Sequence, residues 1–345
     1  MIMKKLYLLS LLLAVAPLCY GQQPFRFSQY FQNLITVNPA VAGIEDFTDL
    51  KVGYRQQWTG LAGSPQTFYL SVHGPLASKS SEFTYQNNAL RISDPSVFDQ
   101  AENSSVVDTG TRMRHGIGGY VVNDQQGIFQ QTHAFATYAA HLPLGARTRL
   151  ALGVSAGLNN RRIDANGITL SGQTTATDDA VINRLLSQSG GLSSVDLNLG
   201  LLLYAENYYL GYSADRILRN PITVGVDTAD VRQSVYHYGL VGGRFRLGES
   251  FMLLPGAFVG VSSVLPLTYD LNLRLRYREV VWVGASYRNS GTVAAMLGLN
   301  IDNRFNLNYA YDYGVGAVSD FRSGTHEIVL GFTLFKQQDS NPYLW

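Results

Sequence analysis

The chain has 345 residues and a formal net charge of +1, from 26 Lys and Arg against 25 Asp and Glu. That balance excludes general nucleic-acid binding, whose affinity comes from clustered positive charge. The length allows one large domain or two small ones, and the single cysteine, Cys19, excludes a disulfide framework.

The first residues address the chain for export. Lys4 and Lys5 precede the apolar run Leu6–Leu18, and Cys19-Tyr20-Gly21 offers a cleavage site. Residues 1–21 are read as a Sec-type signal peptide cut after Gly21. A lipid-modified Cys19 is disfavoured by bulky Leu18. Loss of Lys4 and Lys5 leaves 24 Lys and Arg against 25 Asp and Glu, a net charge of −1. No later segment makes a clean transmembrane helix: Met252–Leu267 is short and broken by Pro255 and Pro266. The mature chain is therefore soluble outside the cytoplasm or crosses an outer membrane as a barrel.

Residues 22–49 carry no strand pattern and are read as a periplasmic lead-in or plug. Strands follow at Leu50–Trp58, Gln66–Gly74, Arg114–Asn123, Phe129–Leu142, Thr148–Asn160, Ser194–Ala205, Asn207–Ala214, Tyr236–Leu247 and Phe251–Val264. The clearest alternation lies next. Tyr269, Leu271, Leu273, Leu275 and Tyr277 share one face, and Asp270, Asn272, Arg274 and Arg276 the other. Strict period two is the mark of a strand between two different media. Val281–Arg288, Val293–Ile301, Phe305–Tyr313 and His326–Phe335 repeat it, joined by short polar turns. Residues 337–345 form a tail.

The total is about fourteen strands of ~10 residues, the even number that bacterial outer-membrane barrels use. Tyrosines number 21, and many fall near strand ends, as interfacial girdles require. A closed sheet of this size is too wide for its own side chains to fill. The expected fold is an all-β transmembrane antiparallel barrel over residues 50–336, with apolar faces outward and a wet lumen. Residues 161–193, 215–233 and 314–325 are then external loops, and the tight connections 206–207, 248–250 and 302–303 are periplasmic. The long connection 77–113 breaks that pattern, unless Glu82–Gln86 is a strand that the count omits.

Candidate chemistry is sparse. Ser71, His73 and Asp49 could form a triad on paper, but a strand-end His bonding backbone is the simpler reading. His326-Glu327 lacks further ligands at metal spacing, and Asp178-Asp179 is a loop pair that reads as solvated charge. Neither a cofactor nor a metal is expected. Arg274, Arg276, Arg278 and Arg288 form a positive strip facing the lumen, either neutralised by Asp270 and Asp312 or able to attract an anion. Arg55 and Trp58 flank the first hairpin loop and could stack; Gly60, Gly63 and Pro65 shape that loop.

Several motifs taken in order resemble the PorP/SprF family, outer-membrane proteins of the type IX secretion system of Bacteroidetes. They are Gln29-Tyr30; Asn38-Pro39-Ala40-Val41-Ala42-Gly43; Tyr54-Arg55-Gln56-Gln57-Trp58-Thr59-Gly60 with Gly63 and Pro65; and Ser71-Val72-His73-Gly74-Pro75-Leu76. Trp282–Arg288, Tyr309–Tyr313 and Gly324-Thr325-His326-Glu327-Ile328 extend the likeness downstream. Val41 departs from the aromatic expected there, and 77–113 is longer than typical. The resemblance implies a non-enzymatic accessory that supports export, surface attachment or gliding movement of cargo bearing C-terminal sorting domains. Its implied partners are that cargo, other secretion or gliding components and outer-membrane lipid. It gives Asn38, Pro39, Ala40, Gly43, Tyr54, Arg55, Gln57, Trp58, Gly60, Gly63, Pro65, His73, Pro75, His326 and Glu327 a structural or docking role. A transporter of hydrophobic small molecules resembling the FadL family is the alternative; it too has about fourteen strands and an Asn-Pro-Ala plug. A barrel-embedded hydrolase would need His73 and His326 to share one rim.

Overall fold

The computed structural model describes residues 26–61, 63–76, 113–145, 148–163, 192–205, 207–220, 233–278, 280–301, 304–315 and 324–335. The signal segment, Glu82–Gln86, Asp178-Asp179 and the tail 337–345 lie outside them.

Fifteen strand segments make fourteen staves. They are β1 (Thr48–Gln56), β2 (Gln66–Pro75), β3 (Arg114–Gln126), β4 (Phe129–Pro143), β5 (Thr148–Ile163), β6 (Leu192–Ala205), β7 (Tyr208–Asp215), β8 (Tyr236–Gly243) and β9 (Phe245–Leu247). β10 (Phe251–Ser262), β11 (Thr268–Tyr277), β12 (Val281–Arg288), β13 (Thr292–Ile301), β14 (Phe305–Gly314) and β15 (Thr325–Leu334) complete the wall. β8 and β9 are one stave, since both pair with β10. It breaks at Arg244, whose N–H bonds the Asn207 carbonyl at 2.9 Å. Each stave pairs antiparallel with its sequence neighbour, and β1 pairs with β15 to close the barrel. Closure leaves no unpaired edge, which a hydrocarbon medium demands.

The predicted alternation is realised. On β11, Leu271 and Leu273 are exposed while Asp270, Asn272, Arg274 and Arg276 are buried. Outward leucines, valines and tyrosines recur on the other staves, as a lipid-facing wall requires.

The lumen differs from the wet channel expected. Residues 26–47 run through it as a plug of three 3-10 turns: η1 (Tyr30–Gln32), η2 (Leu34–Thr36) and η3 (Pro39–Val41). Tyr30, Phe31, Leu34, Ala40, Val41 and Ile44 pack on Leu202, Tyr209, Phe258, Trp282 and Met296 of the wall. The inward charges therefore face protein at the level of the plug, and Arg274 is only 3% exposed. A fourteen-stave interior is filled by a chain segment because side chains alone cannot span it.

Two rims follow from the pairing. The terminal rim carries the start of β1, the end of β15 and the short connections 144–147, 206–207, 248–250 and 302–304. The far rim carries the 57–65 loop and connections 164–191, 216–235 and 315–324. The connection 76–113 is on the terminal rim. β2 and β3 pair directly.

Candidate functional site

The motif Asn38–Gly43 is seated on glycines of the wall. The Asn38 side chain accepts from the Ala40 N–H at 2.9 Å, capping η3 with Pro39 at its first position. Its amide donates to the Leu201 carbonyl at 2.9 Å and the Tyr212 carbonyl at 3.3 Å. The backbone lies so close to the wall that Gly153 admits no side chain. A Cβ there would sit 2.2 Å from Ala40 N and 2.3 Å from Pro39 C. Gly43 has φ +70° and packs against Gly116, where a Cβ would meet the Ala42 carbonyl oxygen at 2.1 Å. His141 completes the seat, its Nε2 2.9 Å from that oxygen and its Nδ1 2.9 Å from the Tyr204 hydroxyl.

The other half of the plug is held by charge. Arg55 on β1 and Glu327 on β15 are direct register partners across the closing seam. Both point inward, with Arg55 Nε 3.4 Å from Glu327 Oε2. Glu327 accepts the Ser28 N–H at 2.8 Å and the Gln29 N–H at 3.0 Å, just ahead of η1. Arg55 donates to Asp312 at 2.9 Å and to the Arg26 carbonyl at 2.6 Å. Ser28 donates its hydroxyl to Asp312 at 2.5 Å. Arg288 lies 3.4 Å from Asp270 and 3.9 Å from Asp312. Arg274 covers the Phe31 ring at 3.8 Å, and Asn272 donates to the Tyr30 hydroxyl at 2.6 Å. Charge-assisted bonds of this kind are the stronger class, and here they clasp the plug backbone.

Two motifs far apart in sequence thus make one latch. Tyr-Arg-x-Gln-Trp supplies Arg55, and His-Glu-Ile supplies Glu327. Arg26, Ser28 and Gln29, just ahead of Tyr30, are what they hold. Tyr54, next to Arg55, faces outward and is exposed. Arg55 is committed to the latch, while Trp58 stands in the rim loop at φ +49°. Gln57 N–H bonds the Pro65 carbonyl at 2.9 Å across the base of that loop. Gly60 and Gly63 have φ of +99° and +72°. Thr59 ties the loop to the Gly324 carbonyl through its N–H at 3.1 Å and its hydroxyl at 2.7 Å.

One expectation is corrected, and two readings already disfavoured find no support. Arg278 is not in the lumen strip: it lies in the exposed turn after β11, at φ +43°, with its guanidinium 5.4 Å from the Tyr277 ring. Arg274, Arg276, Arg288, Asp270 and Asp312 do line the lumen. His73 and His326 share no site. His73 is buried inside opposite Asp49 near the terminal rim, whereas His326 is an outward residue opposite Gln56 near the far rim. The paper triad also fails. Ser71 donates to Asn33 at 2.8 Å, while His73 Nε2 lies 3.7 Å from Asp49 and its Nδ1 accepts the Gly43 N–H at 3.4 Å. Pro75 ends β2 on the terminal rim. Among the described residues, no three His, Cys, Asp or Glu are grouped to hold a metal.

Above the plug, towards the far rim, the barrel encloses a pocket of about 800 Å³, open solvent included. Rings of Phe27, Tyr30, Tyr120, Phe135, Tyr238 and Phe258 line it. Tyr120 and Phe135 stack at 5.3 Å, and Phe258 lies 5.3 Å from both Tyr30 and Tyr238. Polar groups converge between the rings: Arg26, Arg216, Arg288, Asp215 and Asp270. Burial, and next the neighbouring Arg288, lower the Arg26 guanidinium to about 10. Sequence reasoning missed this pocket and the seat residues His141, Gly153 and Gly200, the last beneath Asn38, whose Oδ1 a Cβ there would meet at 2.1 Å. Inward glycines at one depth on β3, β5 and β6 were the available signal, since glycine in a strand marks close backbone approach.

The family model described as "Type IX secretion system membrane protein PorP/SprF" matches residues 20–332. No curated protein matches the sequence. Among solved structures, the chain is similar to the outer membrane protein Omp33 of Acinetobacter baumannii, at 10% identity, TM-score 0.45, and 85% and 100% coverage of this chain and that one. It is also similar to the toluene transporters TodX of Pseudomonas putida (11%, 0.44, 90% and 94%) and TbuX of Ralstonia pickettii (9%, 0.47, 87% and 92%).

Proposed function

The chain belongs to the PorP/SprF family of type IX secretion system membrane proteins, and on that premise we propose that it serves particular cargo proteins bearing C-terminal sorting domains. It supports their export, surface attachment or gliding movement, in association with other components of the secretion or gliding machinery. It reaches the outer membrane by the Sec-type signal at residues 1–21, with its terminal rim in the periplasm and its far rim outside. Its role is that of a docking scaffold, not a catalyst.

One observation carries this reading. The ordered motifs converge on holding a plug in the lumen, through Asn38, Arg55 and Glu327. A wall kept closed by its own N-terminal segment suits a surface on which another protein docks. The long far-rim connections give such a partner an external face.

A passage for hydrophobic compounds has less support. Arg55, Arg274, Arg276, Asp270 and Asp312 are inward and buried along the lumen, and uncompensated contact with charge is costly for an apolar solute.

The test is deletion of the gene with surface proteomics of intact cells. Loss of one or a few sorting-domain proteins from the surface, restored by the wild-type gene, is the expected result. Normal display of every such protein overturns the proposal.

A further inference from the structure

We propose that the far-rim pocket binds a neutral sugar ring. The proposal goes beyond the secretion role and does not depend on it.

The pocket is built for a ligand with apolar faces and a hydrogen-bonding edge. Its rings come from both partners of the lumen: Phe27 and Tyr30 from the plug, Tyr120, Phe135, Tyr238 and Phe258 from β3, β4, β8 and β10. Pocket walls of this kind select by shape and by a few placed polar groups. Those groups are unusual here. Asp215 Oδ1 and Asp270 Oδ1 are buried and accept no hydrogen bond among the described residues. A buried acceptor without a donor is costly, so a ligand that brings donors is favoured.

The charge pattern narrows the class. A hydrocarbon offers no donor and leaves both carboxylate oxygens unsatisfied. An ammonium would satisfy them and would suit the rings, but Arg26, Arg216 and Arg288 also line the space. An anion would suit the guanidiniums but bring no donor to the Asp215 and Asp270 oxygens. A sugar hydroxyl both donates and accepts, so one hydroxyl donates to a carboxylate while its neighbour accepts from a guanidinium. The C–H faces of the same ring lie on aromatic faces.

The acceptor and donor sides are fixed in place. Asp215 ends β7, and Arg216 follows at φ +60° with its N–H on Asn198 Oδ1 at 3.0 Å. Its guanidinium covers the Tyr236 ring at 4.9 Å. Arg26 covers the Phe258 ring at 5.1 Å and donates to Thr268. The same chemistry is offered by a free sugar and by the glycan of a surface glycolipid.

The test uses the full mature chain, purified in an amine-oxide detergent, because sugar-headed detergents would fill the pocket themselves. Saturation-transfer NMR and calorimetry are run with methyl glycosides of glucose, galactose, mannose and N-acetylglucosamine. A parallel arm places the protein in nanodiscs with or without lipopolysaccharide. Saturable binding of at least one probe is expected. Binding of free glycosides assigns a free sugar, and binding in the lipopolysaccharide arm alone assigns a glycolipid. Asp215→Ala and Tyr238→Leu should each weaken binding at least tenfold while keeping the heat-dependent gel shift of a folded barrel. If one variant fails to fold, the other carries the test. No binding in either arm, binding of toluene or a fatty acid in place of every sugar, or sugar binding unchanged in the folded variants overturns the proposal. Deletion phenotypes do not enter it, so it stands or falls apart from the secretion role.

Discussion

The two halves of the plug are held by opposite means. Residues 26–32 are clasped by ions: Glu327 on two backbone N–H groups, Arg55 on a backbone carbonyl, and Asp312 between Arg55 and Ser28. Residues 38–43 are held by fit: an Asn cap, a His on a carbonyl, and glycines that let two backbones touch. The first depends on every member of a network being present, since a buried charge that loses its partner is left uncompensated. The second depends on nothing being added, since close-packed backbone cannot yield to a methyl group. One segment thus has two independent anchors with different vulnerabilities.

Hydrogen exchange of the plug amides, read separately for Ser28–Asn33 and Ala40–Ile44, distinguishes the anchors. Glu327→Ala should have the largest effect, about 3–5 kcal/mol, because it removes the acceptor of the Ser28 and Gln29 N–H groups and one of the two carboxylates beside Arg55. Protection should collapse in the first half and persist in the second; loss in both would show that the halves are one cooperative unit. Gly153→Ala should cost about 3 kcal/mol by overpacking against Ala40 N, with the reverse pattern of exchange. Asn38→Ala removes a cap and two amide bonds, at about 2 kcal/mol, and should loosen the second half without moving the wall. Thr59→Val removes one hydroxyl bond in the rim loop, about 1 kcal/mol. Both halves should keep their protection there, which makes it the control that locates the effect in the lumen.

Much of the wall was legible in the sequence, because period two acts locally. The predicted Val281–Arg288 is β12 to the residue, and Tyr269–Tyr277 differs from β11 by one. Residues 22–49 were open between lead-in and plug, since their turns have no period to detect. Of the site, Arg55 and Glu327 were visible as motif letters only. Their contact needs β1 and β15 to meet, and the hold of Glu327 on Ser28 and Gln29 spans about 300 residues of chain. Arg278 was misplaced for a local reason. It continues the arginine run by count, but the turn after Tyr277 takes it to φ +43° and off the face. The pocket was invisible because its walls come from the plug and from staves distant in sequence.

The clasp straddles the seam where the earliest and latest staves join. The first half of the plug therefore cannot be clasped until the final stave arrives, since Glu327 is carried on that stave. Seating of residues 26–32 thus reports that the cylinder has closed. A truncation lacking the terminal stave should leave that segment accessible to protease.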